Sequence, residues 1–275
     1  MNVLISVDLE GVSGIVHPTE TNPDRYDYER GRSAMTAEAN AVIAGVLDAA
    51  PDAVVWVADA HGSFRNILPE DLDRRAHLVR GRPRPLGMLA GLDEHTDAVM
   101  FIGYHARAGA GPAVLAHTMS DAILDVRVAG RSLGEIGLNA ALAGHVGAPV
   151  VLLSGDDAAC AEFGELVPSA VAVAVKQTLG QAAAVALHPR VARERLRRAA
   201  ADAITRRSSI PPWTMAGPLD VEVDLYGPYM VDLAVLVPGV ARLDGGRTVA
   251  FRAADAAEAY RLIHLLVQLA SIKPG

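Results

Sequence analysis

Apolar residues gather into short continuous runs along the first two thirds of the chain, and each run breaks off at charged or small residues. The first eight residues read Met-Asn-Val-Leu-Ile-Ser-Val-Asp, a strand from residue 2 that stops at Asp8, with Glu10 and Gly11 close behind. Residues 53–58 lead into Asp59-Ala60-His61-Gly62, residues 98–102 into Gly103-Tyr104-His105, residues 150–153 into Ser154-Gly155-Asp156-Asp157, and residues 171–175 into Lys176-Gln177. Runs of this length without polar alternation predict strands buried on both faces. Between them, residues 33 to about 50 place Met35, Ala39, Val42, Ile43 and Val46 at helical spacing, up to the stop at Pro51-Asp52. Residues 134–146 form a second helical stretch, closed by Gly147 and Pro149. Alternating strand and helix predicts an α/β fold: a largely parallel sheet with flanking helices.

Other stretches carry different patterns. Residues 121–129 alternate and turn at Gly130, the mark of an antiparallel piece, and residues 63–96 are mixed, with Arg82-Pro83-Arg84-Pro85 reading as an excursion or subdomain edge. Beyond about residue 190 come a charged helix (190–207), a linker-like segment with Pro211-Pro212 and Gly217-Pro218, two strands (221–225 and 248–252) around a Gly245-Gly246 turn, and a helix (254–271). The expected organisation is an α/β domain over residues 1–190 and a smaller C-terminal α+β domain over 191–275.

Composition narrows the function classes. The formal net charge of −7 argues against nucleic acid as a partner, and the basic stretch at 193–198 reads as a solvated helix face. The single cysteine, Cys160, leaves no intrachain disulfide, fits a reducing cytoplasm, and means that any metal site must be built from His and carboxylates. The N-terminus lacks the basic region and cleavage site of a signal peptide. No apolar run reaches the roughly 18 residues of a membrane span.

The candidate chemistry collects where the strands end. Parallel sheets bind ligands outside the carboxyl ends of their strands, and those ends carry Asp8 and Glu10, Asp59 and His61, His105, Asp156 and Asp157, and Lys176. Asp8 and Glu10 repel one another unless they share a cation, share a proton or face different partners. Asp59 is spaced to orient the His61 imidazole. Glu135 opens a helix between Gly134 and Gly137, which implies a close approach at that turn. His117, in a glycine-rich loop, is a candidate acid/base. Lys176, Asp156 and Asn139 are further candidates for substrate contact. His17, His77, His95, His145, His188 and His264 have no strand-end context and read as structural or surface residues. Asp8, Glu10, His61, His105 and Glu135 together make a mixed His/carboxylate donor set that suits Zn²⁺ or Mn²⁺ rather than Ca²⁺. Five ligands with one carboxylate able to bridge suit two ions roughly 3.5–4 Å apart.

The motifs Ser6-Val7-Asp8-Leu9-Glu10-Gly11, Tyr28-Glu29-Arg30-Gly31-Arg32, Met35-Thr36-Ala37-Glu38, Asp59-Ala60-His61, Gly103-Tyr104-His105-Ala106-Arg107, His117-Thr118-Met119, Gly134-Glu135-Ile136-Gly137-Leu138-Asn139, Gly155-Asp156-Asp157 and Val175-Lys176-Gln177 resemble, in their order, the zinc-dependent D-aminopeptidases of the DppA type. The resemblance implies a metallo-aminopeptidase with two zinc ions per subunit bridged by Asp8. One ion would be completed by Glu10 and His105, the other by His61 and Glu135, and His117 would be the catalytic histidine. It also implies release of N-terminal D-residues such as D-Ala from short peptides, and a homodecamer of two stacked pentameric rings. Whether His117 is nucleophile, base or acid stays open.

Two other readings stand beside it. Asp8-Leu9-Glu10-Gly11 is similar to the Asp-x-Asp-Gly signature of haloacid-dehalogenase phosphatases, but Glu10 replaces the second Asp, Lys176 follows Gly155-Asp156-Asp157 rather than preceding it, and three histidines have no role. A non-catalytic peptide-binding protein would gain little from five metal ligands and a free histidine.

Overall fold

The computed structural model describes residues 1–272. The chain opens with β1 (Asn2–Val7), a short α1 (Pro18–Thr21) and the long α2 (Tyr28–Ala49). β2 (Val54–Asp59), β3 (Ala76–Val79) and β4 (Ala98–Tyr104) follow, then the hairpin β5 (Ile123–Val128) and β6 (Arg131–Ser132). α3 (Glu135–His145), β7 (Val150–Asp156), α4 (Asp157–Leu166), β8 (Val171–Gly180), β9 (Ala183–Ala186) and α5 (Pro189–Arg206) come next. The last part holds β10 (Leu219–Leu225), α6 (Pro228–Ala234), β11 (Ala241–Arg242), β12 (Thr248–Ala253) and α7 (Ala256–Ala270).

The first sheet runs β3-β2-β1-β4-β7-β8-β9 and is parallel except for β9 against β8. Its central strands are buried along their whole length in β4 and β7, as their continuous apolar composition requires. From β1 the chain crosses to β2 and β3 on one side, then returns to β4 on the other. The strand order therefore reverses between β1 and β4, and a crevice opens at their carboxyl ends. Asp8 leaves one strand there and His105 the other. α2 and α5 pack together on the sheet. Gly45 lets them approach: a Cβ on it would stand 2.1 Å from the Arg197 carbonyl oxygen.

The second sheet, β11-β12-β10-β5-β6, is antiparallel throughout. Arg127 on β5 ties it to β10 through Asp224 (2.7 Å) and Glu222 (2.9 Å). α7 packs on β10 and β12 and also on α3, so α3 lies between the two layers.

Two expectations change. Residues 63–96 are more than an excursion, because Ala76–Val79 pairs in parallel with β2 and widens the main sheet. Four residues of Ala-His-Leu-Val on a half-exposed edge carry too little pattern to be recognised. Strand sharing also departs from a division at residue 190: β5 and β6 cross over into the smaller sheet, while α5 packs on the larger one. Among the described residues no helix is long and apolar enough to cross a membrane.

The β1–β4 junction is tightly packed beside the crevice. Gly103 has φ +70°, and a Cβ on it would stand 2.3 Å from the Asp8 carbonyl oxygen. Gly103→Ala is expected to cost about 2–4 kcal/mol, combining left-handed strain with overpacking. Urea denaturation measures it, and an unchanged midpoint would show that this junction has slack.

Candidate metal centre

The loop after β1 is held from three sides. The Asp8 N–H donates to Ile102 O and the Gly11 N–H to Gly103 O, both at 2.7 Å. Gly11 permits this, since a Cβ there would lie 2.0 Å from Tyr104 O. From beneath, the Lys176 ammonium donates to the carbonyls of Glu10, Val12 (3.1 Å) and Ile15 (2.6 Å). From α2, the Glu38 carboxylate accepts the Ser13 N–H at 2.9 Å. Lys176 is 1% exposed, and burial lowers its pKa to about 8; burial likewise raises Glu38 to about 7. Lys176 is thus a brace inside the fold and does not face substrate.

Asp156 is also a scaffold residue. It caps α4 through the Ala159 N–H (2.8 Å) and accepts the Val114 N–H (2.8 Å) and the Thr178 hydroxyl (3.0 Å), which steadies the loop leading to His117. With Lys176 and Asp156 so committed, the phosphatase comparison loses both of its later motifs. Asn139 turns its amide to the Tyr104 hydroxyl (3.1 Å), away from the cluster. Asp59 does not touch His61. Its carboxylate accepts the N–H groups of Asn66 and Ile67 and the Asn66 amide, which fixes the loop after β2 and so places His61 indirectly.

Each histidine of the cluster spends one ring nitrogen on a backbone carbonyl. His61 Nε2 donates to Thr21 O (2.9 Å), His105 Nδ1 to Ala106 O (3.0 Å) and His117 Nδ1 to Leu115 O (2.8 Å). In the neutral imidazole this leaves the lone pair on the other nitrogen. His61 Nδ1 lies 3.3 Å from Asp8 Oδ1 and 3.0 Å from Glu10 Oε2. His105 Nε2 lies 3.5 Å from both Asp8 Oδ2 and Glu135 Oε1. His117 Nε2 is 3.8 Å from Glu135 Oε1, and its ring stacks on His105 with centroids 4.0 Å apart. Glu135, at the first turn of α3, also accepts the Met119 N–H.

All six residues singled out from the sequence therefore meet in one cluster. Its close contacts join His61 to Asp8 and Glu10, and His105 to Asp8 and Glu135. Donor atoms of Asp8, Glu10 and His105, and those of His105, His117 and Glu135, each lie within 4.8 Å of one another. Glu10 Oε2 and His105 Nε2 are buried and make no hydrogen bond; the His61–Glu10 contact is short but lacks hydrogen-bond geometry. Buried polar atoms left without partners are costly, and a divalent cation satisfies both, so the donor set fits a metal.

Charge in the cluster is tightly coupled. Burial, then the neighbouring Glu10, pushes Asp8 up to about 7. Burial acts the same way on Glu10, but the His61 charge outweighs it and holds Glu10 well below the usual range. Burial lowers the imidazoles, yet Glu10 and Asp8 raise His61 well above its ordinary value, and Glu135 and Asp8 push His105 up to about 10.

A cavity of about 380 Å³ opens beside the cluster, reaching from Asp8, His61, His117 and Glu135 to His264, Val267 and Gln268 on α7 and to Arg82. His264 and Arg82 carried no functional signal in the sequence. They reach the site only because α7 and the segment after β3 fold over it.

A family model described as D-aminopeptidase (peptidase M55) matches residues 1–265. A D-aminopeptidase of Bacillus subtilis (strain 168) is 36% identical over 272 residues, covering 98% of each chain. The fold matches a solved structure of the Zn-dependent D-aminopeptidase DppA from Bacillus subtilis, a self-compartmentalizing protease, with a TM-score of 0.96 and 34% identity over 100% of both chains.

The protonation pattern has a measurable consequence. Without metal, His61 and His105 sit below their raised pKa values at neutral pH and carry protons. A metal takes only neutral imidazole, so binding must expel those protons. Apparent zinc affinity is expected to rise with pH between 6 and 8, with about two protons released per chain. Calorimetry in buffers of different ionisation heat reads this directly, and a pH-independent affinity would contradict it.

Proposed function

The chain belongs to the D-aminopeptidase family, and on that premise we propose that it is a dinuclear zinc aminopeptidase releasing N-terminal D-residues, D-Ala among them, from short peptides. The observation that carries this reading is the pair of buried, unpartnered donor atoms, Glu10 Oε2 and His105 Nε2, inside a cluster of three carboxylates and three histidines.

Asp8 would be the ligand shared by the two ions, since its Oδ1 faces His61 and its Oδ2 faces His105. Glu10 and His105 would complete one ion's ligands and His61 and Glu135 the other's, a sorting supported by the donor atoms of Asp8, Glu10 and His105 lying within 4.8 Å of one another. Bound zinc supplies Lewis acidity that polarises the scissile carbonyl and makes water a nucleophile at neutral pH. Mn²⁺ suits the same donors.

His117 is the proton carrier. Its Nδ1 is committed to Leu115 O, so Nε2 presents the lone pair to the cavity. From there it takes a proton from the attacking water and delivers one to the leaving amine, ordinary general acid–base work for an imidazole. Leu115 and Met119 on either side adopt positive φ (51° and 61°), a strained arrangement consistent with a loop set for function. We further infer that it works in the cytoplasm as a homodecamer of two stacked pentameric rings enclosing its active sites, a reading supported by its likeness to the self-compartmentalizing DppA.

Purified protein is expected to carry zinc at about two ions per chain, to cleave D-alanyl amides and peptides in preference to L-enantiomers, and to lose activity on chelation. Full turnover by rigorously metal-free protein would refute this reading. His117→Ala should keep its zinc while kcat drops about 10²–10⁴-fold; unchanged turnover removes His117 from the reaction. Light scattering tests the assembly, and a monomeric mass would exclude the decamer.

A further inference from the structure

The cavity beside the metal cluster does not end at α7. It continues into a second cavity of about 420 Å³, and the two share Arg82, His264 and Gln268. The second cavity adds Arg84 and Arg261, and no carboxylate lines it. Arg84 is fixed: its guanidinium donates to Gly87 O (2.9 Å), Val79 O (3.1 Å) and Asp59 O (2.6 Å), and it lies 4.2 Å from the Phe64 ring centroid. Arg82 and Arg261 are different. Both are exposed, and among the described residues neither has a carboxylate within 4 Å. His264 Nδ1 is buried without a hydrogen-bond partner. Two unpaired guanidiniums and a buried, unsatisfied ring nitrogen thus border one space, which shares Arg82, His264 and Gln268 with the cavity beside the cluster.

The other flank has the opposite charge. A cavity of about 300 Å³, meeting the first at His117 and Ser120, is lined by Glu10 and Asp121 and by no Lys or Arg side chain. The metal cluster therefore sits between an acidic pocket and a basic one. A short peptide is a zwitterion, with an ammonium at one end and a carboxylate at the other. If its ammonium lies on the Asp121 side and its scissile amide at His117, its C-terminus points toward the arginines. Guanidinium forks match carboxylates in shape as well as charge.

We propose that Arg82 and Arg261, with His264, form a recognition site for the C-terminal carboxylate of the peptide, so that the enzyme selects short peptides with a free acid end. The proposal rests on the aminopeptidase reading and adds to it a direction of binding and a limit on length, because the distance from amine to carboxylate is set by the number of residues. It also gives a role to Arg82-Pro83-Arg84-Pro85, a motif that the metal chemistry leaves unused.

The test compares steady-state kinetics on a D-Ala dipeptide as its free acid and as its C-terminal amide, in the wild-type holoenzyme and in an Arg82→Gln/Arg261→Gln variant with zinc content measured. The wild type is expected to favour the acid by about tenfold or more in kcat/KM, through KM, as a charge-assisted hydrogen bond allows. In the variant that ratio should fall toward one, and Arg82→Lys should restore part of it. A wild-type ratio near one, or a variant that keeps the wild-type ratio, overturns the carboxylate site while leaving the aminopeptidase reading intact. Turnover of neither substrate by zinc-loaded wild type would remove the aminopeptidase reading and this inference with it.

Discussion

Two buried carboxylates side by side set the terms for this structure. Asp8 and Glu10 leave β1 within three residues of one another, both almost fully enclosed. Such a pair is unstable unless something positive stands between the groups. Without metal, the imidazoles of His61 and His105 play that part, and their raised pKa values measure how strongly the site demands positive charge. A bound metal would meet the same demand and leave the imidazoles free to act as ligands. The reversal of strand order between β1 and β4 makes this possible, because it leaves a crevice at the one edge where both strands deliver side chains.

Much of the charge at the strand ends serves the scaffold. Lys176 and Glu38 brace the loop that carries Glu10, Asp156 steadies the loop before His117, and Asp59 ties down the loop that carries His61. Each satisfies backbone groups that would otherwise be buried without partners. The three histidines follow the same logic: a backbone carbonyl occupies one ring nitrogen, which orients the other toward the cluster. Backbone contacts thus aim the three candidate imidazoles at the cluster.

The smaller sheet matters because of what it carries. α7 packs on β10 and β12 on one side and on α3 on the other. It therefore brings His264 and Gln268 over a site whose ligands come from the larger layer and from the start of α3. The candidate donor residues come from the larger sheet and α3, and α7 adds one side of the cavity wall. Substitutions on α7 are accordingly the natural place to look for differences in substrate range at constant metal binding.

Several features were legible in the sequence for simple physical reasons. A strand buried on both faces must be apolar throughout, so β1, β4 and β7 announced themselves; β2 and the start of β8 are equally apolar in sequence but half exposed, and the polar residue that ends each run marked the carboxyl edge of the sheet. The candidate donor set came from those ends together with Glu135 at a helix start, and the fold brings these side chains into one cluster. Other features carried no such mark. The edge strand β3 is short and half exposed, and β5–β6 alternates locally while its partner lies about a hundred residues downstream. Nor could spacing tell that Lys176, Asp156 and Asp59 turn inward as braces, or that His61 lies with Glu10 and His105 with Glu135. Local pattern reports only whether a residue is buried and which element holds it. Which distant groups it meets depends on strand order and on how the two sheets close over α3, and those were decided by the tertiary structure alone.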